Sequence, residues 1–191
     1  MTAELATVMH CSTAGLVARV LDVFAPEATS VLDTTYGSGC FWGAAKPAGL
    51  IAGDLDAARA RDVACDYTAL PFRDGAVDVV CFDPPHLCDM GERAIMRDRY
   101  SGFANGAALE ASLRHGLREC HRVARRLVIA KLANYVHGGK PYRLTWWAED
   151  EIGPAYEIVL ERKSATGRDP KWKRQRTPRC RDSRFLIWEV A

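Results

Sequence analysis

Residues 81–86 read C-F-D-P-P-H and combine a carboxylate, two consecutive prolines and an imidazole. The run Val77–Phe82 before them is apolar apart from one aspartate and is rich in valine, which is typical of a buried parallel strand. Prolines donate no amide proton to a sheet, so the strand is expected to end at Asp83. Ligands of open α/β sheets bind at the carboxyl ends of the strands. Asp83 and His86 are therefore candidate pocket residues; the plainer interpretation is a proline-stiffened turn.

A glycine-rich turn follows an earlier apolar run. Residues 31–32 predict a short buried strand that ends at Asp33, and Gly37 and Gly39 follow it. Glycines are needed where a backbone in a tight turn approaches a ligand closely. Residues 41–45 are expected to start the next helix.

Carboxylates recur at the ends of further apolar runs. Asp54 lies 21 residues after Asp33, the spacing at which a strand-end carboxylate can accept the hydroxyl protons of a ribose, and Asp56 is a rival for that role. Asp66 ends a third run. Four such runs alternate with helix-sized intervals, which predicts an α/β fold with a doubly wound, mostly parallel sheet.

Periodicity predicts the remaining elements. Apolar residues at helical spacing indicate helices at 13–24, 109–123 and 144–152, and the histidines of the second helix, His115 and His121, are expected to face solvent. Residues 127–130 predict a strand, with Lys131 just past its end on the ligand side of the sheet. Two antiparallel strands at 156–160 and 185–190 would complete a sheet of seven.

Composition places the chain among ordinary globular proteins. Its 191 residues, 48% apolar and 26% charged, suit a single domain spanning 1–191. No apolar stretch approaches the roughly 20 residues of a membrane span. The amino terminus lacks the features of a signal peptide, so a cytoplasmic location is expected. Seven cysteines without a C-x-x-C pair give no support to a metal site.

The charge is unevenly distributed. Of 26 Lys and Arg residues ten lie at 162–184, whereas only two of the 24 Asp and Glu residues do, so this basic segment carries +8 and the rest of the chain −6. Such a band predicts a loop or hairpin that contacts a polyanion, with a solvated surface loop as the alternative. Its one aromatic residue, Trp172, lies between Lys171 and Lys173, an arrangement seen in many nucleic-acid contacts. The candidate nucleic-acid-binding residues are Arg97, Arg99, Lys171, Trp172, Lys173, Arg174 and Arg176.

Four spaced motifs together resemble the class I S-adenosylmethionine-dependent methyltransferases. They are L-D-x-x-x-G-x-G at 32–39, G-D at 53–54, C-D-Y-T-A-L-P-F at 65–72 and F-D-P-P-H at 82–86. The tetrad D-P-P-H is similar to the motif of enzymes that methylate exocyclic amino groups of nucleobases. The wider stretch resembles small methyltransferases of phages and mobile elements. The resemblance implies a Rossmann-like fold with a seven-stranded sheet.

The resemblance also implies roles for individual residues. Asp54 would bind the ribose hydroxyls of S-adenosylmethionine. Asp66, with Tyr67 nearby, would accept a hydrogen bond from the adenine amino group of the cofactor. The implied cofactor-binding residues are Asp33, Thr35, Gly37, Gly39, Asp54, Asp66 and Tyr67. The implied catalytic residues are Asp83, Pro84, Pro85 and His86.

The resemblance favours a nucleic-acid amino-methyltransferase acting on adenine or cytosine of DNA, ahead of RNA. A methyltransferase of RNA or of a small molecule, and a non-catalytic nucleic-acid-binding module on the same fold, are the alternatives. His86 stands where the motif commonly has a larger aromatic residue, which leaves the target base open. Since no separate target-recognition domain is evident, three sources of sequence specificity stay open. The specificity is low, it comes from the basic segment and the charged residues 88–105, or a specificity partner or a second copy of the chain supplies it.

Overall fold

A computed structural model describes residues 5–86, 88, 102–137, 139–161 and 182–190. Ten strands and three helices are formed within these ranges. The strands are β1 (Val8–Met9), β2 (Val31–Asp33), β3 (Leu50–Asp54), β4 (Val63–Ala64), β5 (Val77–Phe82), β6 (Ala124–Leu132), β7 (Tyr135–His137), β8 (Lys140–Tyr142), β9 (Tyr156–Glu161) and β10 (Asp182–Glu189). The helices are α1 (Thr13–Phe24), α2 (Gly106–Val123) and α3 (Leu144–Ile152).

The main sheet has the order β1-β9-β10-β6-β5-β2-β3-β4, and β7 and β8 form a separate hairpin. Strands β6, β5, β2, β3 and β4 run parallel, whereas β10 is antiparallel to both of its neighbours. The chain winds outward in one direction from β2 and in the other from β5. These two adjacent strands therefore flank the switch point of the sheet, where α/β folds bind their ligands.

The two faces of β5 are covered by different helices. Val79 and Cys81 pack in the cluster that contains α1, whereas Val80 and Phe82 pack in the cluster that contains α2 and α3. All six residues of β5 are buried. This confirms the predicted doubly wound α/β fold with a mostly parallel sheet, and it explains why this strand reads as almost continuously apolar.

The aspartate inside this apolar strand fixes its amino end. Asp78 Oδ2 accepts hydrogen bonds from the backbone and hydroxyl groups of Thr29 and Ser30, and Oδ1 accepts one from Arg125 at 2.7 Å. The Thr29 amide is the largest of the influences that lower the pKa of Asp78 to about 2. Asp78 thus ties β5 to the residues that precede β2.

Two expectations about the elements were wrong. The main sheet contains eight strands within the described residues rather than seven, because β1 pairs in parallel with β9, Val8 opposite Val159. Residues 41–44 form turns and residue 45 lies in no helix or strand, so the predicted helix is absent. The positive φ angles of Gly39 and Gly43, +74° and +52°, interrupt any right-handed helical run there.

Two side chains also differ from expectation. Lys131 lies within β6, opposite Phe185 of β10, rather than past the strand's end. His115 is exposed as predicted, but His121 is half-buried, with its ring 5.4 Å from that of Trp188. None of the helices in the described ranges has the length and apolar character needed to cross a bilayer.

Candidate active site

The glycine turn and the D-P-P-H motif are joined at the carboxyl ends of β2 and β5. Asp33 is the register partner of Cys81, and the next amide, of Thr34, donates to the Cys81 carbonyl at 3.1 Å. One step further, the amide of Asp83 donates to Thr35 Oγ1 at 2.9 Å. The two motifs, almost 50 residues apart in the sequence, therefore form one site.

Asp33 shapes the turn from inside. Its side chain is buried, and its two carboxylate oxygens accept the Thr35 amide at 3.0 Å and the Trp42 indole Nε1 at 2.7 Å. Burial raises the pKa of Asp33 to about 6, and the nearby charges of Asp83 and Asp54 act in the same direction. The observed role of Asp33 is to hold the turn, and its direct contact with a cofactor stays a prediction.

Asp54 closes the turn from the next strand. Gly37, at φ +54°, points its amide to Asp54 Oδ2 at 2.7 Å, and Oδ1 accepts the Asp56 amide at 2.9 Å. Asp56 is exposed and forms an ion pair with Arg59 at 3.3 Å. The geometry thus favours Asp54 over Asp56 as the carboxylate beside the turn.

Asp66 and Tyr67 follow β4, the last strand on this side of the sheet. Asp66 is exposed, and its Oδ1 accepts both the amide and the hydroxyl of Thr68, at 2.8 and 2.7 Å. The ring of Tyr67 packs edge-on against Phe82 at 5.1 Å, and its hydroxyl lies 2.8 Å from Ser112 Oγ. Tyr67 therefore connects the core beneath the site to α2, and the adenine-binding roles of both residues stay predictions.

The catalytic carboxylate predicted from the motif is paired with a lysine. Lys131 Nζ donates to Asp83 Oδ2 at 2.6 Å and lies 5.8 Å from the centre of the Phe41 ring. The pair forms because Phe82 is opposite Ala130 in the β5–β6 register, so the residues that follow them are neighbours. The sequence placed Lys131 on the ligand side of the sheet, but only the strand register reveals its partner.

His86 adjoins aromatic side chains that the sequence did not predict to be near it. Its Nδ1 lies 3.2 Å from the carbonyl of the buried Pro84, and its ring is 6.5 Å from that of Tyr135. Tyr135 in turn stacks on Tyr142, with 5.0 Å between ring centroids and 5° between planes. The two tyrosines come from the β7–β8 hairpin, which is not among the elements predicted from periodicity. The available signal was the pair of glycines between the two tyrosines.

These groups suit a cationic ligand with hydroxyl groups. Asp33 and Asp54 are close enough for their charges to interact, and the turn between them carries Gly37 and Gly39 at positive φ angles. S-adenosylmethionine carries a sulfonium, an ammonium and a ribose diol, so a carboxylate-rich turn fits it. Within the described residues no three His, Cys, Asp or Glu side chains converge as metal ligands would. The predicted nucleic-acid contacts Arg97, Arg99, Lys171, Trp172, Lys173, Arg174 and Arg176 lie outside the described ranges.

Comparison with known proteins supports the fold. No family model matches the sequence, and no curated protein matches it either. Among solved structures, the PH0226 protein of Pyrococcus horikoshii is similar over 92% of this chain and 88% of its own, at 12% identity and a TM-score of 0.53. A candidate rRNA methylase of Clostridium thermocellum is similar over 96% of this chain and 98% of its own, at 10% identity and a TM-score of 0.51.

A third similar structure is TrmN of Thermus thermophilus, at 17% identity and a TM-score of 0.50. The similarity covers 93% of this chain but only 49% of TrmN. The chain thus has the Rossmann-like α/β fold that these structures share, with its candidate site at the switch point of the sheet.

Proposed function

We propose that the chain is an S-adenosylmethionine-dependent methyltransferase that modifies an exocyclic amino group of a nucleobase, with adenine N6 or cytosine N4 of DNA favoured over RNA. The observation that carries this proposal is the hydrogen bond from the Asp83 amide to Thr35 Oγ1. It holds the backbone of the D-P-P-H motif against the residue that opens the glycine turn, where a bound cofactor and a target amine would meet.

The glycine turn and Asp54 would hold the cofactor, which would supply a methyl group on a positively charged sulfur. The amine nitrogen would bond to the methyl carbon, and the sulfur would keep the electron pair of the broken carbon–sulfur bond. The task of the protein is to place the amine and take up the proton that its nitrogen then loses. Placement alone contributes much of the rate for such a reactive donor.

Two acceptors are available for the protons of the amine. Asp83 Oδ2 is bonded to Lys131, which leaves Oδ1 to accept one amine proton. The carbonyl of Pro84 is the second acceptor and lies 3.2 Å from His86 Nδ1. Two acceptors on one nitrogen favour a tetrahedral geometry whose lone pair points away from the base plane, towards the methyl donor. Asp83 then takes the proton that is released.

The aromatic residues beside His86 support a planar target. The stacked rings of Tyr135 and Tyr142, with His86 next to them, offer flat surfaces against which an extruded base could stack. The preference for nucleic acid also rests on the basic segment at 162–184.

RNA is the second candidate substrate. The observation that favours it is the similarity of fold to the candidate rRNA methylase, which extends over 96% of this chain. The pocket chemistry would be the same, since the amine of an adenine or cytosine is alike in both nucleic acids.

Replacing Asp83 by alanine tests the proposal. We expect D83A to lose methyl transfer to nucleic acid by at least about 100-fold, because an amine acceptor and the proton acceptor are both removed. Affinity for S-adenosylmethionine, measured by calorimetry, should change little. The matched control is Asp22→Ala, which removes an exposed carboxylate from α1 and should retain full activity. Unchanged turnover in D83A would refute the proposal.

A further inference from the structure

The ammonium of Lys131 lies in the candidate active site, at the carboxyl ends of β2 and β5, rather than at the protein surface. Its side chain is 17% exposed and that of Asp83 is 24% exposed, with 2.6 Å between Nζ and Oδ2. Lys131 Nζ also faces the ring of Phe41, which belongs to the turn segment after β2. The lysine is thereby placed between the glycine turn and the D-P-P-H motif.

Stability alone gives a weak reason for this arrangement. Desolvating two charges costs free energy that their attraction recovers only with good geometry and further hydrogen bonds. An ammonium has three protons to donate. Within the described residues Asp83 is the acceptor of one of them, and no acceptor there takes the other two. The pair therefore presents a donor and an acceptor side by side in the pocket.

We propose that Lys131 is a specificity-determining residue that donates a hydrogen bond to the ring nitrogen next to the target amine, while Asp83 accepts from the amine itself. This inference rests on the proposed function. The Watson–Crick edges of adenine and cytosine each show an amino donor and a ring-nitrogen acceptor joined through one carbon. The neighbouring Oδ and Nζ atoms match that pattern with reversed polarity.

The pattern excludes other amines. On the Watson–Crick edge of guanine the atom next to the amino group is an N–H donor, which would face the donor Lys131. A buried polar group left unpaired costs more than a hydrogen bond gains, so such a mismatch discriminates strongly. Lys131 is expected to orient the base rather than to activate it, because a proton shared with the ring nitrogen draws electron density away from the amine.

The test removes the ring nitrogen from the substrate. After the base that the enzyme accepts has been identified, kcat/KM is measured on oligonucleotides with that base and with its deaza analogue, 1-deazaadenine or 3-deazacytosine. Wild-type enzyme should lose about 10- to 100-fold on the analogue, as expected for one hydrogen bond to a charged donor. In Lys131→Met the values of kcat/KM for the two substrates should differ by less than about threefold. Lys131→Gln, which keeps a hydrogen-bond donor, should recover part of the discrimination.

The control variant is Arg126→Met, which removes an exposed cation from the opposite end of β6 and should discriminate as the wild type does. Calorimetric binding of S-adenosylmethionine shows that each variant is folded. Equal discrimination by wild type and K131M would overturn the role of Lys131 and leave the proposed function standing. Absence of methylation on every natural base in the wild type would overturn the proposed function itself.

Discussion

Asp33 and Asp83 both lie at the carboxyl ends of adjacent strands, but their surroundings differ. Asp33 is buried and its oxygens are occupied by Thr35 and Trp42, whereas Asp83 is partly exposed and shares one oxygen with Lys131. The first carboxylate is suited to holding the turn and the second to meeting a substrate. Identical side chains thus take different tasks because of burial and partners.

The elevated pKa of Asp33 predicts a pH dependence of stability. The folded-state value of about 6 exceeds the ordinary 3.8, so the folded protein keeps a proton that the unfolded chain releases. The stabilisation from this group is complete below pH 3.8 and is lost as the pH rises through 6. Between pH 5 and 7 it should fall by about 1 kcal/mol.

Urea unfolding of wild type and Asp33→Asn at both pH values measures this contribution. His121 acts in the opposite direction, because burial lowers its pKa to about 4 and its neutral form is favoured on folding as the pH rises through this range. Because both proteins contain His121, its contribution cancels when the pH dependence of one unfolding free energy is subtracted from that of the other. The same pH dependence in both proteins would contradict a buried, high-pKa Asp33.

Among the secondary-structure elements, helix α2 packs closely against the strand that carries the site, at a position occupied by a glycine. A Cβ at Gly116 would lie 2.7 Å from Phe82 Cζ and 2.7 Å from Tyr67 Cδ2. The two rings are packed against each other, and Phe82 is fully buried and directly precedes Asp83. The absence of a side chain at this position is what allows α2 to approach the strand.

Gly116→Ala should therefore destabilise the protein by about 1–3 kcal/mol, although alanine is the better helix former by about 1 kcal/mol. Urea unfolding gives the free energy, and the methylation rate should fall as well because Asp83 is displaced. Ala111→Gly, at an exposed position of α2, measures the propensity effect by itself. A more stable G116A variant would show that the rings have room to move.

Local signals explain which elements the sequence could reveal. The bounds of α1 were correct because its apolar face and its Ser12 cap, whose side chain accepts the Gly15 amide, are encoded within one segment. The β1 strand was missed because two residues pair with β9 only after the sheet has formed. Residues 41–45 were misassigned because Trp42 is fixed by a buried partner, Asp33, that a helical pattern does not show.

The same distinction applies to the site. The carboxylates at the ends of the strands were visible in the sequence, since apolar runs and their polar ends are local features. The Asp83–Lys131 pair depends on the β5–β6 register, and the approach of Tyr135 to His86 depends on the β7–β8 hairpin. Neither contact follows from the spacing of residues along the chain.

At the scale of the whole molecule, the charge division predicts how the protein engages its substrate. Replacing Lys171 and Lys173 by glutamate should reduce methylation of nucleic acid. The plot of log binding constant against log salt concentration should become less steep, by about 1 for each phosphate that is no longer neutralised. The control reverses Arg19 and Arg126, which are exposed on α1 and β6. Equal effects of both double variants would indicate a response to net charge, and no effect of either would favour a small-molecule substrate.

The most direct test of the proposed function is to identify the methylated product. Purified protein is incubated with labelled S-adenosylmethionine and, separately, double-stranded DNA, single-stranded DNA, tRNA and a protein extract, and recovered nucleic acids are digested to nucleosides for mass analysis. We predict N6-methyladenine or N4-methylcytosine in DNA, absent with D83A. A methyl group on a ring carbon, a ring nitrogen or protein alone, or no transfer while the cofactor binds, would contradict the assignment of the pocket to an exocyclic amine.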